Sequence, residues 1–257
     1  MKIRDNTDNP QIKPKYSAPA LEKGFRLIEL MSSNPGGLTA SEIATGLRLS
    51  VSEIFRVIMV MEREGWLRKM RGDKYSVTPH VLSLAFRATP AEELSSVAMP
   101  YMRELCAITD QSCHLVVHHN DKGLVVARFQ NPGPTGFHVR IGSELDLRTT
   151  CSGHILLAFG REALRLDQAT ETEQPFAAIL HAVRQRGYER MESARTLGVT
   201  DISFPVFDIH GEVAGALTVP YLRRIDGDPI VSLDRTQELL GRAAIAISKE
   251  FGAGPRE

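Results

Sequence analysis

The chain has 257 residues, of which 42% are hydrophobic and 24% charged, with 31 basic and 31 acidic side chains in exact balance. These are ordinary proportions for a globular protein of one large or two modest domains, and they exclude a fibrous repeat or a wholly disordered chain. No uncharged apolar run approaches the roughly 18 residues that a membrane span needs, and the opening segment lacks the apolar core of a signal peptide. Three cysteines, Cys106, Cys113 and Cys151, argue against a disulfide framework. A cytoplasmic protein with no membrane partner and no cofactor is therefore expected.

The charge is unevenly divided. Met1 to Pro90 holds 14 Lys+Arg against 9 Asp+Glu, a net +5, and the remainder is −5. A basic front on an acidic rear suits a nucleic-acid module tied to a second, different domain. Residues 1–16, polar and carrying Pro10 and Pro14, read as a disordered tail, and the last six residues as a frayed end.

From Ala20 to Met31 the apolar residues Leu21, Phe25, Leu27, Ile28 and Met31 recur at helical spacing, and Asn34-Pro35-Gly36-Gly37 stops the helix. Thr39 with Glu42, and then Ser50 with Glu53, are two capping boxes in which hydroxyl and carboxylate each satisfy an orphan backbone donor. They predict two short helices, the second and longer one carrying Ile54, Val57, Ile58 and Met61 on its inner face and ending at Gly65. This is the layout in which one helix braces another lying in the major groove of DNA. Trp66 to Met70 and Tyr75 to Val77 predict two strands around the basic turn Arg71-Gly72-Asp73-Lys74, a wing with Arg71 and Lys74 at its tip.

Candidate DNA contacts follow. Thr39, Ser50 and Ser52 stand at helix N-termini, where hydroxyl and backbone donors suit phosphate. Arg56 suits a bidentate bond to guanine, Glu53 can accept from cytosine unless its cap occupies it, and Arg71 and Lys74 suit phosphate or the minor groove. Phe55, on the outward side, either meets a thymine methyl or packs on the wing.

Three stretches, "PALEKGFRLIELMSSNPGGLTASEIATGLRLSVSEIFRVIMVMEREGWL", "LDLRTTCSGHILLAF" and "RGYERMESARTLGVTDISFPVFDIHGEVAGALTV", resemble the IclR family of transcriptional regulators. The resemblance implies an α+β fold: a winged helix-turn-helix at 17–79, a linker helix region at 80–97, and a GAF-like antiparallel sheet flanked by helices at 98–252. That rear domain would bind an effector and support a homodimer or tetramer on operator DNA. The chain departs from the family pattern at Val51, where a lysine is common, at Glu53 for a threonine, and at His154 after Gly153 for a lysine. A serine-rich strand end is replaced by Thr218-Val219-Pro220-Tyr221. The operator and the effector therefore do not transfer from relatives.

The residue pattern behind the wing fits that fold. Val81 to Ala88 and Ala91 to Thr109 read as helices, with Pro90 and Pro100 as break or start points. Strands are expected at Cys113 to His118, Leu124 to Gln130, Phe137 to Ile141, Asp201 to Phe207 and Val213 to Val219, and a closing helix at Val231 to Phe251.

By position in the family, the effector contacts Cys151, Ser152 and Gly153 at a helix start, and Asp201, Ser203, Pro205, Thr218 and Pro220 on two strands. Strand alternation should turn half of the strand residues away. A helix N-terminus with free N–H groups suits an organic or aromatic carboxylate, and Phe129, Phe137, Phe204 and Tyr221 offer an apolar wall. Two alternatives compete. Cys151 and His154 could join His114, His118, His119 or His138 around zinc, or Cys151, with its thiol acidified by the helix N-terminus, could serve an enzyme.

Overall fold

The computed structural model describes residues 16–88, 91–131, 133, 136–160, 173–223 and 231–254. All of the expected N-terminal tail except Tyr16 lies outside them. Contacts divide the chain into two compact units, Met1–Thr89 and Pro90–Glu257.

In the first unit, α1 (Pro19–Ser32) leads into the short strand β1 (Leu38–Thr39), then α2 (Ala40–Leu47) and α3 (Val51–Arg63), and β2 (Leu67–Lys69) and β3 (Lys74–Val77) form the hairpin before α4 (His80–Ala88). Both capping boxes are formed, with Thr39 and Ser50 as the N-caps of α2 and α3. Leu27, Ile43, Leu47, Ile54, Ile58 and Leu67 are almost wholly buried and make one core, each worth about 1.5–3 kcal/mol of apolar burial. No residue pattern marks β1. It pairs with β3, Leu38 opposite Tyr75 and Thr39 opposite Lys74, and Gly37 makes this possible. Its φ is +76°, and a β-carbon there would stand 2.8 Å from the Tyr75 carbonyl oxygen.

The second unit opens with α5 (Ala91–Thr109), which runs straight through Pro100. The expected break there does not occur, because Leu94, Ala98, Met102 and Leu105 on either side of the proline are all buried in one core cluster that spans the helix. The expected linker stretch 80–97 thus comprises α4 and the first turns of α5, and the division of contacts falls between Thr89 and Pro90.

Strands β4 (Cys113–His119), β5 (Lys122–Phe129) and β6 (Glu144–Asp146) follow, then α6 (Cys151–Phe159), α7 (Gln174–Arg186), β7 (Glu189–Glu192), β8 (Val199–Phe207), β9 (Val213–Leu222) and α8 (Leu233–Glu250). The strands form one antiparallel sheet in the order β6-β5-β4-β9-β8-β7. One face packs on α5 and α8 through Ile202, Val206, Leu217 and Val219. The other packs on α6 and α7 through Val116, Val125 and Ala216.

The strand expected at Phe137 to Ile141 is absent. The Val125 N–H donates to Ser143 and the Val125 carbonyl accepts from Gly142, so the outer partner of β5 begins beyond the turn at Gly142, whose φ is +81°. The regular partner is β6, and residues 136–140 run irregularly.

Candidate functional site

The front unit presents α3 and the wing. Ser50 and Glu53 hold each other: the Ser50 hydroxyl accepts from the Glu53 N–H at 3.3 Å, and the Glu53 carboxylate accepts from the Ser50 N–H at 3.1 Å and from its hydroxyl at 2.7 Å. The same carboxylate pairs with Lys23 of α1 at 3.1 Å. The hydrogen bonds from Ser50, then the Lys23 bond and charge, hold the Glu53 carboxyl down at about 2. Glu53 is thereby engaged within its own unit, facing α1. Ser52 and Arg56 are exposed, and the Ser52 hydroxyl lies 3.2 Å from that of Ser50.

Thr39 is the half-buried cap of α2, its hydroxyl and N–H both spent on Glu42. In the wing, Arg71 is exposed beside Gly72 and Asp73, both with positive φ, and Asp73 pairs with Lys69 at 2.7 Å. Lys74 is not at the tip as expected. It starts β3 opposite Thr39 and is half-buried, because the tip turn closes one residue earlier through the Met70 N–H bond to the Lys74 carbonyl at 2.6 Å. The Lys23 pairing carried no sequence signal, since Lys23 and Glu53 are thirty positions apart.

In the rear unit a cavity of about 300 Å³ opens between the start of α6, the sheet, the irregular run 137–140 and the loop 193–196. Four expected residues line it: Cys151, Ser152, Asp201 and Thr218. Thr150 caps α6, its hydroxyl accepting from Gly153 N at 3.2 Å. Phe137, Val139 and Leu145 provide apolar wall, and Arg140 and Arg195, exposed overall, bring cations to it.

The remaining expected residues do other work. Gly153 packs against backbone, a β-carbon there meeting the Leu147 carbonyl oxygen at 2.4 Å. Ser203 is buried beneath Thr218, their hydroxyl oxygens 2.7 Å apart. Pro205 and Pro220 pair with Ala216 and Asp201 and do not line the cavity. The expected alternation loss is also corrected: Asp201, Ser203 and Pro205 stand opposite Pro220, Thr218 and Ala216, so all five expected strand positions share one face. Of the aromatic wall only Phe137 is present. Phe129, Phe204 and Tyr221 belong to the cluster on the opposite face, with α5 and α8.

Polar residues cross the sheet under the cavity in one row, His114 on β4 opposite Thr218 on β9, Thr218 opposite Ser203 on β8, Ser203 opposite Glu189 on β7. Burial pushes the His114 imidazole down to about 4, so it is neutral at physiological pH. Burial raises the Asp201 carboxyl to about 6, aided by the Glu192 charge and opposed by a Ser193 hydrogen bond. Arg195, Arg140 and the Thr149-Thr150 pair were missed as cavity residues. Thr149-Thr150 and Arg195 lay inside the stretches that carried the family resemblance, the cap position of Thr150 being the usable signal.

Cys151 is not an acidified nucleophile. Its thiol donates to the Glu189 and Asp201 carbonyls at 3.3 and 3.4 Å, and burial, then the charges of Asp201 and Glu189, push it well above the usual thiol range. His154 is committed to Glu189 and to the Arg148 carbonyl. Among the described residues no three His, Cys, Asp or Glu side chains gather to hold a metal ion, and no helix is long and apolar enough to cross a membrane.

Two family models match the chain, the IclR helix-turn-helix domain over residues 20–71 and the bacterial transcriptional regulator IclR C-terminal domain over residues 86–249. Among curated relatives, the HTH-type transcriptional regulator KdgR of Escherichia coli is 28% identical over 259 residues, covering 93% of this chain and 95% of the relative. The glycerol operon regulatory protein of Streptomyces coelicolor is 24% identical over 253 residues, covering 91% and 97%. Among solved structures, an IclR homologue of Microbacterium hydrocarbonoxydans complexed with 4-hydroxybenzoate superposes with a TM-score of 0.76 at 23% identity, covering 90% of this chain and 98% of that one. The Thermotoga maritima IclR gives a TM-score of 0.68 at 21% identity, with coverage of 90% and 98%. With both of its units matched, the chain belongs to the IclR family of transcriptional regulators.

Proposed function

We propose that this regulator grips operator DNA with α3 and the wing, and that a small organic or aromatic acid in the rear cavity sets the strength of that grip. The carrying observation is the cavity itself. It joins Ser152, at the helix N-terminus that Thr150 caps, to Arg140, Arg195 and an apolar wall, which is the chemistry of an anion with a hydrocarbon body. Occupation of a similar fold by 4-hydroxybenzoate supports this class of ligand. In the front unit, Ser52, Arg56 and Arg71 are the DNA contacts the geometry favours, Ser50 offers phosphate its helix N-terminus, and Thr39, Glu53 and Lys74 support them from within. The regulator acts in the cytoplasm as a homodimer or dimer of dimers, because one module of this size binds too weakly to select a site alone. Its role is binding rather than catalysis, in keeping with the un-ionised Cys151 thiol.

Thermal shift against carboxylic acids, 4-hydroxybenzoate among them, followed by a gel shift on a selected operator, tests the reading. Acids that raise the unfolding midpoint should also change operator affinity. Silence across the panel, or stabilisation with no change in operator binding, would overturn the proposed control.

A further inference from the structure

Helix α3 buries Ile54 and Ile58 completely, yet it leaves Val51 at 46%, Phe55 at 45% and Met59 at 37% exposure. Spaced by four, these residues form one stripe along the helix, and the exposed Ser52 and Arg56 flank it on the outward side. A contiguous apolar stripe of this kind marks a contact surface. The polar readers available on the helix are few, because the capping box and Lys23 hold Ser50 and Glu53. At 100° per residue Glu53 lies on the shoulder of the helix away from Phe55.

The surroundings choose the occupant. Arg56 stands next to Phe55 on the same helix, Arg71 is exposed at the wing tip, and the first ninety residues carry net +5. A polyanion complements this charge, and an apolar protein partner does not. In the major groove of duplex DNA the apolar feature at a base edge is the thymine 5-methyl group.

Resting on the DNA-binding reading above, we propose that Val51 and Phe55 read thymine methyl groups beside a guanine held by Arg56. One helical turn separates the two side chains, roughly 6 Å along the axis. With base pairs about 3.4 Å apart, the two thymines fall about two steps apart in each half-site. Thymine is thus told from cytosine by its methyl group and not by a hydrogen bond from Glu53.

The test uses the full chain and duplexes selected from a random-sequence pool. Each thymine of the enriched half-site is replaced singly by deoxyuridine, which removes only the methyl. At one or two thymines affinity should fall about fourfold, equivalent to the roughly 0.8 kcal/mol of burying one methyl-sized group. The Phe55→Ala protein should bind the thymine and uracil versions of its position equally, whereas Phe55→Leu should still discriminate. Equal binding of every deoxyuridine duplex by the native protein, or full discrimination retained by Phe55→Ala, would overturn the inference while leaving the DNA-binding reading intact. A pool that yields no enriched sequence would overturn both.

Discussion

His154 Nδ1 stands 3.0 Å from Glu189 Oε2, with both side chains buried. The other imidazole nitrogen faces the Arg148 carbonyl at 2.9 Å, so both ring nitrogens face acceptors, while Arg186 and the Arg190 N–H each hold Glu189 Oε1 at 2.8 Å. Burial alone would raise the Glu189 carboxyl. The bonds from His154 and Arg190 and the Arg186 charge outweigh it and hold the carboxyl below its usual value. The stability this provides is full above the unfolded-state value and is lost as pH falls through the folded one. Glu189→Gln should cost about 3 kcal/mol at pH 7, since it leaves a buried partner uncompensated. Denaturant unfolding should show the penalty shrinking as pH drops below about 4.5, near the free-glutamate value, and a pH-independent penalty would refute the pairing.

Asp201 behaves in the opposite sense. Its carboxyl is raised to about 6, so the folded chain binds an extra proton between roughly pH 3.9 and that value, and stability declines as pH rises through the window. Asp201→Asn should therefore raise the thermal midpoint at pH 7 and lose that advantage near pH 4. A carboxylate ligand should bind the native protein more tightly as pH falls through about 6, where Asp201 sheds its negative charge. The asparagine variant should show a flatter profile in calorimetric titrations, and identical profiles would remove Asp201 from the ligand's reach.

Arg56 and Arg71 should fail differently. Arg56→Ala should weaken the selected operator by about 1–3 kcal/mol and relax base preference at one position. Arg71→Ala should weaken all duplexes alike and reduce the slope of log affinity against log salt by about one. Gel shifts over a salt series on operator and scrambled DNA separate the two, and two identical phenotypes would contradict the division of labour between helix and wing.

Gly153→Ala should destabilise the rear unit by about 3 kcal/mol, because the new methyl meets backbone of Leu147 that cannot step aside. Unfolding of the variant in denaturant would measure it, and a loss under half that size would mean that the 147–150 segment yields. A variant that folds but has lost acid binding would show how closely that segment is tied to the cavity.

The front unit was almost fully legible because its signals are local. Thr39 with Glu42 and Ser50 with Glu53 each settle a helix start within four residues. What lay beyond reach was long-range: the Lys23–Glu53 pair, and β1, whose two residues are a strand only because Tyr75 lies across from Leu38. In the rear unit the central strands read correctly, whereas β6 and β7, with three and four residues, offer too short an alternation. Phe137 to Ile141 had an apolar pattern, but Phe137 to Arg140 serve as cavity wall, because hydrogen bonding to Val125 passes to Gly142 and Ser143. The cavity was half visible. Its helix start could be placed from the family pattern, but Arg140 and Arg195 reach it through irregular loops that have no periodicity to read.

Pro205 and Pro220, absent from the cavity, have another consequence. β7 pairs with β8 only as far as Ser203, and β4 pairs with β9 only as far as Thr218, so among the described residues each proline occupies a stretch with a neighbouring strand on one side alone. A proline there has no N–H to offer a newcomer, and beyond Pro220 the Gln111 side chain already occupies both the N–H and the carbonyl of Leu222. The flanks of the two longest strands thereby lack the free backbone donors that an added strand would need at those stretches.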